Sequence, residues 1–116
     1  MKKIKLGFLL LMAATLFTCK KSNSNQSSAY KPDCSATTPN YQNNVAPLVL
    51  SACGSSGCHV AGSSKGPGAL VTYAQLKAAS ASVRSSVVSG RMPEGSTLTN
   101  DQKNTIVCWI DAGANP

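Results

Sequence analysis

Between Cys53 and His59 the chain reads Cys53-Gly54-Ser55-Ser56-Gly57-Cys58-His59. This stretch restricts the possible folds more than any other. It places two thiols at the ends of a short loop of small residues and an imidazole directly after the second thiol. Residues before it carry a helical pattern: Val45, Leu48, Val49 and Ala52 recur at helical spacing from Tyr41 to about Cys53. Pro39-Asn40 reads as a turn, Asn44 as the N-cap, and Pro47 falls in the first turn, where a missing N–H costs little. A helix therefore runs into the loop, and Gly54 and Gly57 allow the backbone to turn there.

The rest of the chain is also read as helices joined by loops. Val60 to Leu70 is rich in Gly, Ser and Pro and reads as a loop. Thr72 caps a short helix over Tyr73 to Ala79, with Leu76 inward. Ser80 or Ser82 caps the next, whose apolar stripe is Val83, Val87 and Val88 and whose stop is Gly90. After the irregular loop from Arg91 to Gly95, Thr99 and Gln102 form a capping box. The last helix extends to about Ala112, with Ile106, Trp109 and Ile110 on one face and Gly113 as its end. No alternating strand pattern is present. The expected fold is all-α: a small, loop-rich bundle of about four short helices.

Residues Met1 to Cys19 read as an export signal: Lys2, Lys3 and Lys5, then an apolar run from Leu6 to Phe17. Leu16-Phe17-Thr18-Cys19 resembles a bacterial lipoprotein box, in relaxed form. That resemblance implies cleavage before Cys19 and a lipid on its thiol, hence membrane anchoring in the cell envelope. An ordinary signal peptide with an incidental cysteine is the other reading. The expected organisation is a signal over residues 1–18, an anchored Ser/Asn/Gln-rich tether over 19–33, and one domain over 34–116. The formal charge of +7 belongs mostly to the first two parts. From Cys34 onward, Lys65, Lys77, Arg84, Arg91 and Lys103 face Glu94, Asp101 and Asp111, a net +2 that leaves no footprint for nucleic acid.

Export to an oxidising compartment means that thiols pair or are used. With Cys19 lipidated, Cys34, Cys53, Cys58 and Cys108 remain, and four cysteines allow three connectivities. Two thiols followed by a histidine is the order that tethers a haem covalently, each thiol adding to a vinyl group and the imidazole reaching the iron. The usual loop has two residues between the cysteines; here it has four, and Ser55 stands where the first cysteine would be. If Cys53 and Cys58 take haem, Cys34 and Cys108 are left as the candidate disulfide. The other readings of the stretch are a plain Cys53–Cys58 disulfide beside an exposed His59, and a zinc site. Zinc is disfavoured because the chain has one histidine. A thioredoxin-type pair would need a two-residue loop near a βαβ unit. With aromatic residues at only 5%, a domain this small also needs a staple, which a buried haem would supply.

Once the signal is removed Met92 is the one remaining methionine, in the polar turn Arg91-Met92-Pro93-Glu94-Gly95. From Tyr41 to Ala114 the chain resembles the class I cytochrome c family, most closely the small lipoprotein-type domains of bacterial envelopes. The carriers are the helix ending in Cys53, Cys58-His59, Gly66-Pro67, Tyr73, Met92-Pro93 and Trp109-Ile110-Asp111-Ala112-Gly113-Ala114. The resemblance implies haem c bonded to Cys53 and Cys58, His59 as proximal and Met92 as distal iron ligand. It implies a hydrogen bond from His59 to the carbonyl of Pro67, and a crossing of the first and last helices near Trp109. The expected function is one-electron transfer with redox proteins of the envelope and no catalytic residue. Leu48, Val49, Leu70, Leu76, Val87, Ile106 and Trp109 are the expected apolar wall, and Arg91 is a candidate partner for a haem propionate. A haem-based gas or peroxide sensor and a haem-free, disulfide-stapled interaction lipoprotein are the alternatives.

Overall fold

The computed structural model describes residues 29–36, 38–55 and 57–116. The signal, Cys19 and most of the tether lie outside the described residues. The first helix opens as a π-helical turn, Tyr41–Val45, and continues as α1, Ala46–Ala52; α2 is Tyr73–Ala78, α3 is Ser80–Val88 and α4 is Asn100–Asp111. No strand occurs among the described residues, so the fold is all-α as expected. Nor, among these residues, is any helix long and apolar enough to cross a membrane.

Helix ends follow local chemistry. Thr72 and Thr99 each accept from the backbone N–H three residues on, while Gln75 and Gln102 reach back to complete capping boxes. α4 ends at Gly113 in a Schellman pattern: Gly113 N donates to Ile110 O and Ala114 N to Trp109 O, both at 2.9 Å. Two starts differ from expectation. The first helix is capped by Asn40, whose Oδ1 accepts from Asn43 N at 3.1 Å. Asn44 instead returns its Oδ1 to Asn40 N at 2.9 Å, so it closes the cap from inside. α3 has no side-chain cap. Ala79 alone separates it from α2, and its carbonyl accepts from Val83 N at 3.0 Å, the N–H that Ser80 as a cap would serve.

The core is built where the first helix and α3 pack on α4. Val45, Val49, Leu76, Ile106, Val107 and Trp109 are almost completely buried. Tyr41, Tyr73 and Trp109 form an aromatic trio at the crossing of the first and last helices, with Tyr41 and Tyr73 edge-to-face at 5.0 Å and Tyr41 5.7 Å from Trp109. Two of the polar tips are satisfied near the C-terminus: Trp109 Nε1 donates to Asn115 O at 2.6 Å and Tyr73 Oη to Ala114 O at 2.9 Å.

Cys34 and Cys108 form a disulfide across 74 residues of sequence. Among the described residues, contacts with α4 also precede it, at Tyr30 and Asp33. Asn104 Oδ1 accepts from Tyr30 Oη at 2.7 Å and from Asp33 N at 3.1 Å, and Lys103 Nζ stands 4.9 Å from the Tyr30 ring centroid. The last few residues assigned to the tether are thus docked on α4.

Candidate functional site

α1 delivers Cys53 to the start of the loop. Cys53 N bonds Val49 O at 2.8 Å and Gly54 N bonds the same carbonyl at 3.0 Å, so the chain leaves the helix within one residue. A Cβ at Gly54 would fall 2.8 Å from Leu50 O, a contact no side chain tolerates, so this exit requires glycine. The loop then closes on itself: Cys58 N donates to Ser55 O at 3.1 Å and His59 N to Cys53 O at 3.0 Å. His59 O accepts from Leu70 N at 2.9 Å, which ties the loop to the core.

His59 is buried, with 7% of its surface exposed. Its Nδ1 lies 2.7 Å from the carbonyl oxygen of Gly68. A carbonyl only accepts, so Nδ1 carries a proton, and in the neutral ring Nε2 keeps its lone pair. The accepting carbonyl belongs to Gly68, one residue beyond the expected Pro67. Gly68 sits at φ 87°, a left-handed conformation that turns its carbonyl toward the ring. Gly66 brings the same turn alongside: a Cβ there would lie 3.6 Å from His59 Cε1.

Cys53 and Cys58 are free thiols, Cys53 half-buried and Cys58 exposed. Burial pushes the Cys53 thiol up, with the neighbouring Cys58 adding to the shift. Met92 arrives from the loop after α3. Arg91 N and Met92 N both donate to Ser86 O, at 3.0 and 3.3 Å, and Arg91 Nη2 donates to Ser86 Oγ at 2.8 Å.

These residues meet at one cavity of about 440 Å³, lined by Cys53, Cys58, His59, Pro67, Arg91 and Met92 among others. That volume is within the roughly 300–1,000 Å³ of a cofactor-sized cleft. Its apolar wall is Ala52, Leu70, Val83 and Val87. Of the wall read from sequence, Leu70 and Val87 reach the cavity; Val49, Leu76, Ile106 and Trp109 are buried in the core instead, and Leu48 packs against it half-buried. Val83 and Ala52 were signalled only as members of helical stripes, and Lys65 and Glu94, which also line the cavity, by nothing local.

The donors that open on this space are two thiols, a thioether and an imidazole with a free Nε2 lone pair, a set suited to soft or borderline metals and to thioether formation. Among the described residues no three His, Cys, Asp or Glu side chains cluster closely enough to hold a bare metal ion. Compared with family models, curated proteins and solved structures, the chain gives no match.

Proposed function

We propose that the protein is a c-type cytochrome of the cell envelope: a carrier of single electrons, with one haem bonded to Cys53 and Cys58 and ligated by His59 and Met92. The observation that carries this reading is the convergence of two free thiols, a histidine with its proton held on Nδ1, and Met92 on one cofactor-sized cavity. When bound, the haem supplies an iron that gains and loses one electron.

The chain's own residues account for the rest. The Gly68 carbonyl holds the His59 ring and its tautomer, so Nε2 faces its task as a base of fixed direction and raised basicity. Ser86 holds the backbone at Met92 through a shared carbonyl. A thioether ligand and the dry wall of Ala52, Leu70, Val83 and Val87 both favour the reduced state. Arg91, whose Nη2 donates to Ser86 Oγ, lines the cavity and would be the partner for a haem propionate. The chain has one histidine and this role uses it; we assign no catalytic residue. Lipid on Cys19 would hold the domain at the membrane within reach of envelope redox proteins.

The ligand pair is tested by optical spectra of the matured protein. A methionine-to-iron band in the oxidised form, lost in Met92→Ala, is the expected result. No such band in the parent would favour a ligand-binding sensor over a carrier.

A further inference from the structure

The Gly68 carbonyl belongs to a ring of contacts that includes one hydroxyl outside the cavity lining. Ser63 Oγ donates to Cys58 O at 2.6 Å and accepts from Lys65 N at 3.3 Å. Lys65 O in turn accepts from Gly68 N at 2.9 Å, and Gly68 O accepts from His59 Nδ1 at 2.7 Å. Since His59 follows Cys58 in the chain, these contacts close a ring: Cys58, Ser63, Lys65, Gly68, His59. Ser63 is the only side chain other than His59 itself that contributes a bond to it. The backbone adds a brace, Ser63 N to Val60 O at 3.0 Å. Gly66 and Gly68, at φ 52° and 87°, make the intervening turn intrinsically pliable, so its register depends on the contacts that pin it: those of Ser63, and the bond from Leu70 N to His59 O at 2.9 Å.

We propose that Ser63 is a positioning residue for His59: by clamping Cys58 O to Lys65 N it sets the Gly68 carbonyl against Nδ1 and so selects the tautomer and direction of the ring. This rests on the reading of His59 as the proximal ligand, but its first consequence is visible without haem. If Ser63 is removed, the turn from Lys65 to Gly68 loosens, the Nδ1–H bond weakens, and the ring gains access to the alternative tautomer with the proton on Nε2, which cannot donate a lone pair to iron.

The test uses the full chain, haem-free and labelled with ¹⁵N, in alkaline buffer. With one histidine, the long-range imidazole correlation spectrum reports His59 alone. The parent should show the Nδ1–H tautomer. S63A should raise the Nε2–H share by about fivefold, the order expected for loss of one hydrogen bond. Ser63→Thr, which keeps the hydroxyl, should restore the parent pattern. Ser63→Val, matched to threonine in shape, should behave as S63A does and serves in its place if S63A does not fold. In haem-loaded protein, S63A should also raise the midpoint potential, because a less basic imidazole supports the oxidised iron less well. An unchanged tautomer ratio in S63A and Ser63→Val overturns the proposal, even where stability falls, and so does a threonine variant that fails to restore it. If the parent takes up no haem, the cytochrome reading fails while the tautomer ratio still decides the role of Ser63.

Discussion

Nδ1 of His59 and the carbonyl oxygen of Gly68 stand 2.7 Å apart, joining the end of the cysteine loop to a turn nine residues further on. This contact decides which ring nitrogen is free, and it depends on Gly68 holding φ 87°. A Cβ added there would also meet Ser63 O at 3.4 Å. Gly68→Ala should therefore cost about 1–2 kcal/mol of stability, the usual penalty for a left-handed non-glycine residue. Gly90→Ala is the control: φ is 71° and the site has open space, so the penalty is similar but the His59 tautomer is untouched. Urea unfolding with imidazole ¹⁵N spectra reads both.

Cys34 and Cys108 close a loop of 74 residues. Replacing both with serine should lower stability by about 2–5 kcal/mol. Part of that loss comes from undocking of the N-terminal segment, whose Tyr30 and Asp33 share Asn104 Oδ1. Asn104→Ala alone should free the segment, read as new protease cleavage near Tyr30, while the disulfide and α4 persist. Retained protection at Tyr30 would contradict this.

Arg84 grips Asp111 with two bonds, Nε to Oδ1 at 2.6 Å and Nη2 to Oδ2 at 2.9 Å. The guanidinium holds the Asp111 carboxyl below its ordinary value. A depressed folded-state value means stability present above the unfolded carboxylate range and lost as pH falls through the lowered folded value. The side chains are 40% and 39% exposed, so solvent screening limits the effect to about 0.5 kcal/mol. Asp33, held low by Ser35, titrates in the same acid region. Asp111→Asn should remove only the Arg84-dependent share, and Arg84→Gln combined with it should add nothing further.

The two loop thiols should differ in reactivity in haem-free protein. Cys58 is exposed, whereas Cys53 is half-buried with its thiol pushed up by burial. Iodoacetamide followed by peptide mapping should find Cys58 modified at least about tenfold faster. Equal rates would mean that Cys53 is not sheltered by the cavity wall.

The features legible in the sequence were those set by neighbours along the chain. Thr99 with Gln102, Thr72, Gly90 and Gly113 mark helix ends by chemistry that needs only a few adjacent residues, and all four helix ends behave accordingly. Contacts made across the fold left no local trace. Tyr30 lies in a polar tract, and its partner Asn104 is 74 residues away, so no local pattern marks that contact. Asn40 and Asn44 are equivalent as candidate caps until the π-helical turn places Asn40 first. The choice of Gly68 over Pro67 depends on how the turn from Lys65 is wound, which a proline in the sequence does not report. In the wall, helical periodicity separated buried from exposed faces but not core from cavity: Val49 and Leu76 lie in the core alone, whereas Val83 and Val87 belong to the core and also line the cavity.

The most direct test of the account is whether haem becomes covalently attached. The full chain is expressed in a host with c-type maturation, resolved on a denaturing gel stained for haem, and examined as a pyridine haemochrome. Haem should survive denaturation, with a spectrum showing both vinyl groups saturated by Cys53 and Cys58. A spectrum with one vinyl intact would leave Cys53 without its assigned role, and a folded chain that carries no haem would contradict the account outright.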